Sequence, residues 1–141
     1  MWTSFWFVPL QNVDIKCSMY YIFYMMDFGE YIREKREALR ASNRSFSARQ
    51  VALRIGVEPA YLSKIERGEM APPSEEKSRL LAQELNEDVD LLLAMAGKVS
   101  TDLREIIMNR PVLFAELIRR LKEEPDHAVL RIVREVRDGK W

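Results

Sequence analysis

The chain carries one cysteine, Cys17, so no disulfide can form within it, and that fits a reducing cytoplasm. It carries one histidine, His127, with no Cys or His companion nearby, so a solvated surface residue is expected there and no metal site. Five glycines and six prolines in 141 residues are too few for a turn-rich β protein and favour helices. Charge is balanced, with 22 Lys and Arg against 22 Asp and Glu, which withholds the overall basicity common in DNA binders. There is no G-x-G-x-x-G, P-loop, G-x-S-x-G or H-E-x-x-H, so no enzyme signature and no cofactor are implied. The apolar runs Phe5–Leu10 and Cys17–Met26 are each too short to span a bilayer.

What is present is concentrated in residues 48–68, ARQVALRIGVEPAYLSKIERG. They read as two short helices joined by a tight turn. Helices that cross steeply over a short link touch at one point, and the residue there must be small; Ala52 occupies it. Leaving the first helix requires a left-handed residue, which costs little only for glycine, and Gly56 follows Ile55. Val57 is the apolar turn residue that tucks inward. Pro59 suits the first position of the next helix, where its missing N–H goes unused. Val51, Ile55, Leu62 and Ile65 form the inward stripes. Ser47 and Gln50 have the form of a capping box at the start of the first of the two helices.

The flanking chain predicts further helices. Residues 27–41 show an apolar face of Phe28, Ile32 and Leu39, with Asp27 as N-cap. Residues 42–45 form a polar loop that Phe46 staples to the core. The proline pair before Ser74 stops a helix; Ser74 caps the next, with Leu80, Leu81 and Leu85 inward, and another runs from Val89 to about Ala96. Five helices in about 70 residues make a compact bundle, on the usual scale of a small domain. Beyond it, helices begin at Ser100 or Asp102, at Pro111 and after Pro125. Their apolar residues are either extra core for the bundle or a dimerisation or partner-docking surface, and both readings stay open. The organisation expected is thus residues 1–26 as an atypical apolar extension, 27–98 as the principal domain and 99–141 as a helical region.

The first 26 residues contain two charged side chains, Asp14 and Lys16, against 42 in the remaining 115. They read either as an arm packing on the domain or on a partner, or as a stretch upstream of a true start at Met25 or Met26. The second is favoured, because MDFGEYIREKRE opens like a self-sufficient first helix. Charge is also uneven further on. Residues 33–54 hold seven basic side chains and two acidic ones, whereas 74–98 hold six acidic and three basic, so any positive field is confined to one face.

From Phe28 to about Gly97 the chain resembles the phage-repressor and Cro-like, or Xre-type, helix-turn-helix family. The resemblance rests on Tyr61-Leu62-Ser63-Lys64-Ile65-Glu66-Arg67-Gly68, with Ala52 and Gly56 upstream, and covers about half the chain. It implies an all-α, five-helix lambda-repressor-like DNA-binding domain with additional C-terminal helices. It also implies a cytoplasmic transcriptional regulator, in the repressing sense, that binds double-stranded DNA as a homodimer on an inverted repeat. By resemblance the base-reading positions are Glu58, Pro59, Ala60 and Lys64. Lys64 can reach guanine O6 and N7, and Ala60 a thymine methyl; Pro59 has no polar group to read with. Glu58 departs from the small hydroxyl residue common in relatives, which leaves few strong direct contacts and a share for DNA shape. Phosphate contacts fall to Arg44, Ser47, Arg49, Ser63 and Arg67. Arg36 and Glu66 resemble a family ion pair tying the first helix to the recognition helix. The alternative is an antitoxin-type interaction component whose C-terminal helices, within 99–141, bind a partner protein.

Overall fold

The computed structural model describes residues 26–139. Readings that concern residues 1–25, including the arm, the upstream start and Cys17, lie outside the described residues. Among the described residues there are eight α-helices and no strand. They fall into two compact units, one ending at Val99 and one beginning at Ser100.

In the first unit, α1 spans Phe28–Ser42, and the Asp27 carboxylate accepts from the Glu30 amide at 2.8 Å to start it. It runs one residue further than the sequence pattern predicted, and the Asn43 amide closes it onto the Leu39 carbonyl. The expected polar loop contains a single 3-10 turn, Arg44–Phe46, opened by the Asn43 side chain accepting from the Ser45 amide. Phe46 is half-buried and packs on the core. Then come α2, Ala48–Ile55, and α3, Pro59–Glu66. Ser74 and Asp88 cap α4, Glu75–Leu85, and α5, Val89–Met95.

All five helices contribute to one core. Ile32 of α1, Val51 and Ile55 of α2, Leu62 and Ile65 of α3, Leu81 and Leu85 of α4, and Leu92 of α5 are all buried. Leu39 and Leu80, read as inward, are half-buried at its edge. Two residues outside the predicted stripe of α1, Tyr31 and Arg36, are buried as well. Their burial reflects polar partners on other elements, which helical periodicity does not report.

The second unit comprises α6, Thr101–Asn109, α7, Pro111–Leu121, and α8, Asp126–Asp138. Pro111 occupies the first turn of α7, where no N–H is needed, and Pro125 precedes α8. No residue from Thr101 to Asp138 is buried. No helix among the described residues is long and apolar enough to cross a membrane.

Candidate nucleic-acid interface

The joint between α2 and α3 is built by its backbone. Gly56 has φ 71° and ψ 42°, a left-handed conformation, and the Val57 amide reaches back to the Ala52 carbonyl at 2.9 Å. That closure satisfies carbonyls that would otherwise be orphaned at the helix end. Ala52 is completely buried at the crossing. From α4, the Lys77 ammonium donates to the Ile55 carbonyl at 3.0 Å, placing a cation against the negative end of α2. Pro59 then sits in the first turn of α3, while the Glu58 carbonyl accepts from the Tyr61 and Leu62 amides.

One side of α3 is sealed and the other is open. Leu62, Ile65 and Glu66 are buried, whereas Glu58, Ala60, Lys64 and Arg67 are exposed and Pro59, Tyr61 and Ser63 are half-buried. Ala60 and Lys64 lie one turn apart and therefore share the outward face. The carboxylate of Glu58 makes no capping bond and is left to solvent. At the N-terminus of α2, Ser47 Oγ accepts from the Gln50 amide at 3.3 Å. The capping box is only half formed, since exposed Gln50 makes no return bond to Ser47.

Arg36 fixes the pitch of α3. Its Nε donates to Glu66 Oε1 at 2.7 Å and its Nη2 to Glu66 Oε2 at 2.9 Å, while Nη1 donates to the Phe46 carbonyl at 3.1 Å. One guanidinium thus joins α1, the 3-10 turn and α3, with 4% and 8% of Arg36 and Glu66 exposed. The bond to Glu66 raises the pKa of Arg36 against the opposing effect of burial.

The basic run is less available than its count suggests. Arg36 is consumed as described, Lys35 pairs with Glu87, Arg40 with Glu37, and Arg54 with Glu84 at 2.6 Å while donating to the Ser45 carbonyl. Arg44, Arg49 and Lys64 are exposed and hold no ion pair among the described residues. Arg67 makes a two-point pair with Glu69, at 2.7 and 3.1 Å. That pair raises the pKa of Arg67 and holds the Glu69 carboxyl below its ordinary range, with a smaller contribution from Lys64.

Gly29, which the sequence pattern did not single out, proves to be a positioning residue. It is buried where α1 meets the end of α3, so close that a side chain there would strike the Ile65 backbone. The available signal was an isolated glycine inside an otherwise helical pattern. His127 is exposed, and no group of three His, Cys, Asp or Glu among the described residues could hold a metal ion.

A small-residue crossing, a left-handed glycine, and a second helix with one open side define a helix-turn-helix, a class of fold that carries a helix to the DNA major groove. Residues 32–92 match the helix-turn-helix family, and this part of the chain is a DNA-binding domain of the Xre/Cro type. No catalytic family matches. No curated protein and no solved structure matches the chain.

Proposed function

We propose that the protein is a sequence-specific transcriptional regulator, a cytoplasmic repressor that binds an inverted-repeat operator as a dimer. The observation that carries this reading is the open outer face of α3, with Ala60 and Lys64 projecting from a rod whose other side is locked into the core. Lys64 is the principal base reader, a cationic donor suited to guanine O6 and N7; Ala60 meets a thymine methyl. Glu58 and Pro59 enter the groove first and shape the fit. Ser47, Ser63, Arg44 and Arg49 hold phosphates, and Arg67 joins them by leaving Glu69. Arg36 and Glu66 set the angle of the reading helix without touching bases.

The test is selection of bound duplexes from a random pool. The expected product is an inverted repeat with half-sites about 34 Å, one helical turn, apart. Lys64→Ala is expected to cost on the order of 1–3 kcal/mol and to relax one base position. A pool that returns no recurring sequence, or a Lys64→Ala protein with unchanged preference, rejects the assignment. A second reading, an antitoxin-type component that binds a partner protein, draws support from the exposed apolar faces beyond Ser100. Recovery in a stable complex with the product of a neighbouring gene would favour it.

A further inference from the structure

Two arginines on different helices grip consecutive carbonyls of the 3-10 turn Arg44–Phe46. Arg36 Nη1 of α1 donates to the Phe46 carbonyl at 3.1 Å, and Arg54 Nη1 of α2 donates to the Ser45 carbonyl at 2.8 Å. The Arg44 carbonyl accepts from the Ser47 amide at 3.3 Å, so every carbonyl of the turn is engaged. A single 3-10 turn has poor hydrogen-bond geometry of its own, so its shape depends on such outside partners.

Arg54 is itself held in place. Its Nε donates to Glu84 Oε2 of α4 at 2.6 Å, and its guanidinium lies 5.2 Å from the centre of the Phe46 ring. Phe46 packs on the core, so the ring is a fixed floor beneath the cation. The planar fork of arginine keeps the Glu84 and Ser45 contacts at a set angle, which the single ammonium of a lysine does not reproduce. The side chains of Arg54 and Glu84 are 33% and 28% exposed, yet both are committed to partners within the chain.

We infer that Arg54 and Glu84 are positioning residues for DNA: they set the 3-10 turn, and the turn aims Arg44 at a phosphate. The inference rests on the DNA-binding reading above and adds to it residues that do not touch the duplex. Arg44 opens the turn, is exposed and holds no ion pair among the described residues, so its guanidinium is the group left to meet an anion. A long side chain gives up less freedom on binding when its backbone is already fixed. Glu84 thus favours DNA binding although its charge opposes it. Arg54 serves by holding a carbonyl, and its own charge is spent on Glu84.

Titration of the full chain against a mixed-sequence duplex at several salt concentrations tests this. By charge alone, Glu84→Ala removes an acid, frees a cation and tightens binding. The positioning role predicts the reverse: a loss of about five- to tenfold per bound copy at about 0.1 M salt, with a salt slope shallower by about 1, the mark of one phosphate contact. In an Arg44→Ala background the loss should all but vanish, which a merely structural defect does not do. Arg54→Lys keeps the charge and is expected to show the same loss, and it serves if circular dichroism shows that Glu84→Ala fails to fold. A folded variant whose binding is unchanged or tighter, or whose loss persists beside Arg44→Ala, overturns the inference and leaves the DNA reading standing. A wild-type chain that binds no duplex at low salt defeats that reading and the inference with it.

Discussion

A β-carbon on Gly29 would collide with the carbonyl oxygen of Ile65, so α1 meets the last turn of α3 backbone to backbone. In an open helix, alanine is better than glycine by about 1 kcal/mol. Here the collision outweighs that gain, because a carbonyl in a helix cannot swing aside as a flexible side chain can. Gly29→Ala is expected to destabilise the domain by about 2 kcal/mol or more, and to weaken DNA binding by displacing α3. Urea unfolding measures the first; unchanged or raised stability would show that the helices are not in this contact.

The bidentate Arg36–Glu66 pair is buried, so removing one partner strands the other. Glu66→Gln is expected to cost about 3–5 kcal/mol. The double change Arg36→Met and Glu66→Met should recover much of that loss, since apolar side chains of similar size need no partner. A double-mutant cycle reads the coupling directly, and additive single costs would contradict the pairing.

Glu69 holds Arg67 and lies close enough to Lys64 to be acidified by it, on the end of α3 assigned to DNA. Both partners are about half exposed, so exchanging the carboxylate for a phosphate is cheap. Glu69→Gln frees Arg67 and is expected to tighten binding to any duplex by a few-fold at most, as suits an ion pair exposed to solvent. Titration by fluorescence anisotropy decides it; weaker binding would mean that Glu69 orients Arg67 for DNA.

Alkaline pH should act through Tyr31. Its hydroxyl donates to Glu87 Oε2 at 2.8 Å, and Lys35 pairs with Glu87 Oε1 at 2.7 Å. Burial, and then the Glu87 bond, raise the Tyr31 pKa above its ordinary value; the bond to Glu87 raises that of Lys35. The folded chain therefore keeps protons that the unfolded chain releases. This stabilisation is complete below about pH 10 and is lost as pH climbs through the raised values. The melting temperature should fall from about pH 10 upward, and Tyr31→Phe should reduce the steepness of that fall. A slope identical in the variant would place the titration elsewhere.

Much of the reading end was legible because its constraints are local. Gly56 is needed for a left-handed residue, Pro59 fits a first turn, and Ala52 is small where two helices cross; each can be inferred within ten residues of chain. Gly29 could not be, since its neighbour Ile65 is 36 residues away and glycine in α1 otherwise reads only as a weakness. Tyr31 and Arg36 stood outside the apolar stripe because their burial depends on Glu87 and Glu66. The cluster of cations from Arg33 to Arg54 looked like a field for DNA, but spacing does not reveal which of them acids on other elements engage. Beyond Ser100, periodicity gave the helices and left the cover of their apolar faces undecided.

The ion pairs that engage Arg36, Lys35, Arg40 and Arg54 have a consequence for ionic strength. Arg44, Arg49 and, once released from Glu69, Arg67 remain as the cations of the proposed phosphate-contacting set, about three counterions displaced per copy. The logarithm of affinity should then fall against the logarithm of salt with a slope near −3 per copy, or about −5 for two. Raising salt from 50 to 200 mM would cost such a dimer about three decades, the shallow end of the usual span. Discrimination among sites must therefore come from groove chemistry, since bulk attraction to the duplex is modest.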